Sequence, residues 1–452
     1  MLKRLISLLL VFCLMAGCLA GCGDTTDPAQ TTGATTDAAQ QGSTETVDYA
    51  AQVKLDKTSG AVQQEVTVKM FVDGDTTHFY VPSSVMPGGV LKGRYLAVNT
   101  PESTGKIEEY GKKASNFTKE KLSSATSIII ESDTASWDAD STGDRYLVWV
   151  WYKTDDMEDY RNLNVELLQN GLAIASSSAN NRYGDICMSA LNQAKAQKLN
   201  VFSGEKDPDF YYGDAVELTL KELRSNVEQY NGMKVAFNGV VTVNDNNSVY
   251  VEAYDAETDM YYGMAVYYGY NLNGKGLEIL TVGNEVRIVG SVQYYEAGGT
   301  YQISDLNYRL MKPNDPGNIQ MISQNNDPAF PTTDADKFLE GKVSIKDDEG
   351  NEIVADYAAM ALNTSIEMKG LKVVKSYTTT NEESSSKGAF TLTCTVNGHT
   401  IDVRTTVLVD ANGKLITADA YEGKTIDVKG IVDYYNGSYQ IKVFSADNIT
   451  IQ

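Results

Sequence analysis

In one stretch of the 452-residue chain, carboxylates, an amide and guanidinium groups recur at short intervals: Asp73-Gly74-Asp75-Thr76, Arg94, Asn99-Thr100-Pro101-Glu102, and Asp144-Arg145. Hydrolysis of a phosphodiester needs a cation on the phosphoryl oxygens, an activated water and donors for the charge that builds in the transition state. Asp75 closes a turn between two strand-like runs, where a carboxylate can point into a cleft. Asn99 and Glu102 stand three residues apart across a Thr-Pro break, so both can reach one pocket. A hard cation such as Ca²⁺ takes carboxylate, amide and backbone carbonyl oxygens together. Asp75, the side chain of Asn99 and the carbonyl of Thr100 are therefore the candidate metal ligands. Glu102 is the candidate base that orients and deprotonates the attacking water. Arg94 and Arg145 are candidate phosphate clamps, acting through planar forks that lysine cannot imitate. None of this chemistry needs histidine, and the chain has only His78 and His399. Taken alone, Asp73, Asp75 and Thr76 also suit a plain hairpin turn, Arg145 suits an ion pair with Asp140 or Asp144, and the two histidines suit strand faces.

The elements that must carry these residues follow from hydrophobic period. Residues 66–81 read as two strands around an Asp-Gly turn, and Gly93 to Val98 as another apolar strand. Tyr110 to Ser123 has helical spacing, with Ala114, Phe117 and Leu122 on one side. Ser127 to Glu131 and Tyr146 to Tyr152 read as strands; Asn162 to Ala173 and Asp185 to Leu199 read as helices. The expectation for 60–205 is a β-barrel core with three helices.

This block resembles the staphylococcal nuclease (thermonuclease) family over nearly its whole length. Asp73-Gly74-Asp75-Thr76 stands where that family has its first acidic motif. Arg94 to Glu102 matches an arginine, an apolar run and then Asp-Thr-Pro-Glu. Tyr110-Gly111 with Ala114 to Thr118, Gly143 to Leu147, Asn164 to Ala173 and Ala194 to Phe202 match in order. The resemblance implies an OB-type barrel and Ca²⁺-dependent cleavage of DNA and RNA at the bond to the 5′ oxygen, leaving 3′-phosphates. Two departures stand out. The family's second metal-binding carboxylate is here Asn99, which removes a negative charge and implies weaker metal affinity. The tyrosines that stack on the nucleotide are absent: Ser176-Ser177-Ser178 and Gly143 lie there, with Tyr183 as a partial substitute.

The remainder of the chain sets the context. With 38 Lys+Arg against 60 Asp+Glu, the net charge is −22. That argues against coating nucleic acid or anionic membrane by bulk charge. Two histidines exclude a three-His zinc site, and five cysteines exclude a disulfide-dense scaffold. Residues 1–22 read as an export signal: Lys3 and Arg4, an apolar run to about Met15, then Leu19-Ala20-Gly21-Cys22, which resembles a bacterial lipobox. Cys22 is the expected lipidation site, with Cys18 the weaker candidate, so the chain is expected on the outer face of the cell membrane through a lipid anchor. Residues 23–58, rich in Thr, Asp, Ala, Gln and Gly, read as a disordered tether.

Beyond the first block, 209–312 reads as an OB-like β-barrel domain, 313–336 as a linker and 337–452 as a second OB-like β-barrel. The linker holds four of the nine prolines. The two barrels carry an internal repeat: Gly283 to Gly290, Tyr294-Tyr295 and Tyr301-Gln302-Ile303 align with Gly423 to Gly430, Tyr434-Tyr435 and Tyr439-Gln440-Ile441. Residues 207–310 hold 14 of the 28 tyrosines, yet 6 Lys+Arg against 15 Asp+Glu make a poor nucleic-acid groove. The ligand of these barrels is left open. The fold expected for the whole is mainly β with α (α+β): an OB-type barrel with three helices, then two tandem OB-like barrels. The function expected is a surface-anchored, Ca²⁺-dependent nuclease for extracellular DNA and RNA. The alternative is a catalytically weakened relative serving as a surface binding or adhesion scaffold.

Overall fold

In the first block, residues expected as strands pair edge to edge until the sheet closes on itself. The computed structural model describes residues 46–176, 180–269, 272, 274–296, 298–347, 349–381, 384 and 386–452. The expected signal segment, Cys18, Cys22, the tether up to residue 45, Ser177 and Ser178 lie outside the described residues. The strands are β1 (Gln63–Phe71), β2 (Thr76–Tyr80), β3 (Val90–Tyr95), β4 (Val98–Asn99), β5 (Ser127–Glu131), β6 (Tyr146–Lys153), β7 (Arg161–Asn162) and β8 (Ile174–Ala175). The order is β3-β2-β1-β5-β6, and β3 closes on β6 in a parallel pair. That is an OB arrangement. Residues 148–152 of β6 are buried throughout, because one face looks into the barrel and the other onto helices.

Helices α1 (Tyr49–Gln52), α2 (Gly111–Ser123), α3 (Leu163–Gln169) and α4 (Gly184–Ala196) surround this barrel. Helix α2 buries Ala114, Thr118 and Leu122 at four-residue spacing and leaves Lys112, Lys113 and Lys119 exposed. The presence of α1 corrects the expected tether. Ala50 and Val53 are buried, Gln169 Oε1 accepts the Ala50 N–H at 3.1 Å, and Asp48 pairs with Arg161 at 2.8 Å. Small apolar side chains next to a capping aspartate suffice to dock one turn of helix, so residues 47–53 belong to the folded unit.

The second barrel comprises β9 (Val216–Glu217), β10 (Lys234–Asn244), β11 (Ser248–Asp255), β12 (Met260–Tyr267), β13 (Glu285–Tyr295), β14 (Thr300–Ser304) and β15 (Gln320–Ser323), with α5 (Leu220–Ser225) and α6 (Lys275–Ile279). The hairpin β16 (Lys342–Lys346) and β17 (Glu352–Asp356), flanked by α7 (Ala335–Glu340) and α8 (Tyr357–Met360), leads into the third barrel. That barrel comprises β18 (Ser365–Thr378), β19 (Phe390–Val396), β20 (His399–Thr405), β21 (Thr425–Tyr435), β22 (Ser438–Val443) and β23 (Ile449–Ile451). Both barrels close as the first does, with β12 parallel to β14 and β20 parallel to β22.

The repeat has a physical meaning. A Cβ on Gly290 would lie 2.5 Å from the Ser304 carbonyl oxygen, and one on Gly430 would lie 2.5 Å from that of Lys442, so the crossing strand admits only glycine there. The tyrosines form matching cross-strand ring pairs, Tyr294 with Tyr301 at 5.0 Å and Tyr434 with Tyr439 at 5.1 Å.

The expected linker 313–336 is also corrected. Asn318 and Ile319 are fully buried, β15 pairs with β13, and Thr333 donates its N–H to the Glu367 carbonyl at 2.9 Å. Its prolines turn a chain that runs along the second barrel into α7. The second and third barrels share one apolar core, whereas the first has its own. At their junction Arg224 donates to the Gly263 carbonyl at 2.6 Å and to Asn363 Oδ1 at 2.9 Å. Glu252 accepts the Ser365 N–H at 2.6 Å, and Tyr250 meets Phe444 at 5.5 Å. The outer face of β11–β12, where an OB barrel stacks bases, is thus occupied by the third barrel.

Candidate active site

The turn between β1 and β2 places Asp75. Thr118 of α2 donates its hydroxyl to the Gly74 carbonyl at 2.6 Å, and a Cβ on Gly74 would lie 2.9 Å from both Ala114 and Thr100. Glycine therefore lets the turn press between helix and loop. Asp75 is buried and ordered by three donors: the Thr76 hydroxyl at 3.1 Å and Arg94 Nη1 on Oδ1, and the Thr100 N–H at 2.8 Å on Oδ2.

Arg94, near the end of β3, uses its fork in two directions. While Nη1 holds Asp75, Nη2 donates to Asn99 Oδ1 at 2.6 Å. Arg94 and Leu147 are register partners in the parallel β3–β6 pair, and Arg145 stands in the bend just before β6, within electrostatic reach of Arg94. Arg145 is also the ion-pair partner of Asp140, through Nε and Nη2, each at 2.7 Å. Asp144 pairs instead with Lys92 at 2.6 Å.

Glu102 stands at the solvent-accessible rim. Its backbone is gripped on both sides: its N–H donates to Glu108 Oε2 at 3.2 Å, and its carbonyl accepts the Glu108 N–H at 2.9 Å. Gly111 lies flat on that carbonyl, where a Cβ would collide with it. The charges sense one another. Loss of hydration and then the negative charge of Asp73 hold the Glu102 carboxyl above its ordinary range, while Arg94 and Arg145 pull it back. Burial likewise raises Asp73, against the pull of Arg94 and Arg145. Burial also lowers the affinity of Arg94 for its proton, with Asp73 opposing.

The structure thus brings Asp75, Arg94 and Asn99 into direct contact, with Thr100 on Asp75 through its backbone. Glu102 and Arg145 lie within electrostatic reach of Arg94. Residues 92–204 match the staphylococcal nuclease homologue family. A thermonuclease of Staphylococcus intermedius is 32% identical over 139 residues, which are 30% of this chain and 74% of that protein. This chain belongs to the staphylococcal nuclease family.

Against the staphylococcal nuclease pattern, two side chains change standing. Tyr183 does not replace a stacking tyrosine. Its ring is wedged edge-on between Trp149 at 5.0 Å and Trp151 at 5.6 Å, and its hydroxyl donates to Glu131 at 3.3 Å. Asp73 joins this cluster although only Asp75 is expected there as a ligand. It is buried, accepts the Asp75 N–H at 3.1 Å and lies within electrostatic reach of Arg94 and Glu102. The signal was its place two residues before Asp75 in the same tight turn. Among the described residues no group of three or more His, Cys, Asp or Glu side chains is arranged around a metal position. The expected ligand set has one carboxylate, one amide and one carbonyl. These oxygens suit a hard cation in kind, but Arg94 spans the Asp75 and Asn99 oxygens such a cation would use.

Proposed function

We propose that the chain is a Ca²⁺-dependent nuclease that hydrolyses phosphodiester bonds of extracellular DNA and RNA at the cell surface. The observation that carries this reading is that Asp75, Asn99, Arg94, Glu102 and Arg145 gather in one cluster at the turn and loop beside β3. Glu102 takes the proton of the attacking water. Its accessible position and raised proton affinity suit it to that transfer. Arg94 and Arg145 bind the non-bridging phosphate oxygens by paired N–H donors. Each must leave its resting partner to do so, Arg94 from Asp75 and Asn99, Arg145 from Asp140. Asp75, Asn99 and the Thr100 carbonyl would hold Ca²⁺, which when bound supplies positive charge on the phosphoryl oxygens. Cys22 is the lipid attachment point in this reading, which rests on the lipobox-like residues before it.

Cleavage of a fluorogenic DNA strand by the full chain is the test. Activity abolished by EDTA, and lowered about 10²–10⁴-fold by Glu102→Gln, supports the enzyme. No cleavage at about 10 mM Ca²⁺, a concentration that fills even weak extracellular sites, supports instead a surface scaffold. The resting bridge by Arg94, which already neutralises Asp75, is the observation that favours that second reading. Loss of membrane association in Cys22→Ser checks the anchor.

A further inference from the structure

Contacts between the second barrel and the nuclease barrel fall on the loop that carries the base and on the helix that follows it. Gln293, near the end of β13, donates its side-chain N–H to the Ser103 carbonyl at 2.8 Å. Ser103 follows Glu102 directly. Three residues further along the same hairpin, Glu296 pairs with Lys119 of α2. Asp305, just after β14, lies within electrostatic reach of Lys106 in the loop itself. The far end of the loop is held by the connector to the second barrel. Asp207, fully buried, accepts the Tyr110 N–H at 2.6 Å, and the Tyr110 hydroxyl donates to the Glu205 carbonyl at 3.1 Å.

We infer that Gln293 is a positioning residue for Glu102: the second barrel completes the nuclease by fixing the loop through the Gln293–Ser103 bond. The inference rests on the nuclease reading above. The loop closes on itself through Glu108, as Glu102 gives it an N–H and takes one back, but that ring alone leaves Ser103 to Ile107 to swing as a flap. A bond to the carbonyl immediately after Glu102 restrains the backbone from which the base projects. Misplacing a catalytic group by about 1 Å can cost up to about 10²-fold in rate, while binding groups elsewhere in the cleft are untouched. The effect therefore belongs in kcat. This also gives an acidic accessory barrel a role that does not require it to touch substrate.

The test compares the full chain with Gln293→Glu, which keeps the shape but loses the N–H donor, and with Gln293→Lys, which keeps a donor of sufficient reach. Gln293→Glu is expected to lower kcat about tenfold with KM within about twofold and the melting midpoint unchanged; Gln293→Lys is expected to recover most of the rate. Exchange of the Glu102 and Glu108 amides, the hydrogen-bonded N–H groups that close the loop, is expected to accelerate in Gln293→Glu and to keep the wild-type rate in Gln293→Lys. Exchange identical in wild type and Gln293→Glu overturns the inference whatever the activity. Faster exchange with unchanged kcat also overturns it, because the loop would then be held without the base being positioned. If the wild-type chain cleaves nothing while Gln293→Glu still frees the loop, the nuclease reading fails and the hold on Ser103 stands.

Discussion

Arg94 faces two demands. Its fork satisfies Asp75 and Asn99 at rest, yet the proposed chemistry needs that fork on a phosphate and those oxygens on a cation. The two substitutions that separate these demands have opposite signatures. Arg94→Gln removes a positive charge from between the two ligands, so Ca²⁺ binding, read by titration calorimetry, is expected to tighten while kcat falls. Asn99→Asp adds back a carboxylate and is expected to tighten Ca²⁺ about tenfold or more and to raise cleavage at low Ca²⁺. Unchanged affinity in both would mean that this cluster does not hold the ion. His78, on β2, has a different dependence. Burial, then the charges of Lys92 and Lys69, hold its pKa down at about 4. An unfolded histidine titrates near 6.5. Between those values the unfolded chain binds the extra proton, so His78's contribution to stability is complete above about pH 6.5 and is lost as the pH falls toward 4. The drop in melting midpoint from pH 7 to pH 5 is expected to be shallower in His78→Gln, and equal slopes would refute this account.

At the level of elements, the loop from Pro101 to Tyr110 is set by its close approach to α2. Gly111→Ala drives a methyl group into the Glu102 carbonyl. It is expected to cost about 1–3 kcal/mol of stability and to lower kcat further than its stability loss explains; Lys113→Ala on the exposed face of α2 is expected to do neither. Chemical denaturation and steady-state cleavage of the two variants decide this. The regular elements of this region were legible in advance. The runs 127–131 and 146–152 coincide with β5 and β6 within a residue, and Gly111–Ser123 differs from the expected helix by one position, because each has a strong period and a clear stop. What escaped had no period to read. Four-residue α1 is helical only because α3 and α4 wait for Ala50 and Val53. Strands β4 and β8, which fix Asn99, are two residues each and exist by pairing with one another. The linker residues are buried by barrel edges remote in sequence. Types and spacing pointed to Asp75, Arg94, Asn99, Glu102 and Arg145 as candidates, which the fold gathers into one cluster, but not to the Asp140 side chain rather than Asp144 as Arg145's partner, nor to the packing of Tyr183 on a tryptophan pair.

At the level of the whole molecule, the junctions differ in kind. The nuclease barrel meets the second barrel through polar contacts such as Gln293 with Ser103 and Lys119 with Glu296, whereas the second and third barrels share a hydrophobic core, with Arg224, Glu252 and Tyr250 at their junction. Cooperative unfolding follows shared cores, so calorimetry is expected to resolve two transitions, one for the nuclease barrel and one for the fused pair. Asn363 tests the assignment. It stands at φ 70°, where glycine is at ease, and its Oδ1 accepts from Arg224 Nη2 and, at 3.3 Å, from the Ala265 N–H. Burial already lowers the pKa of Arg224 to about 10, so a lost acceptor is not readily replaced by water. Asn363→Gly keeps the backbone and removes only the acceptor; it is expected to destabilise the fused transition by about 1–3 kcal/mol and to leave the nuclease transition and cleavage rate unchanged. Asn397→Gly, at φ 49° in the exposed β19–β20 turn, makes the same backbone exchange away from the junction and is expected to move neither. If Asn363→Gly lowers both transitions together, the three barrels unfold as one body and the polar junction couples them as firmly as the apolar one.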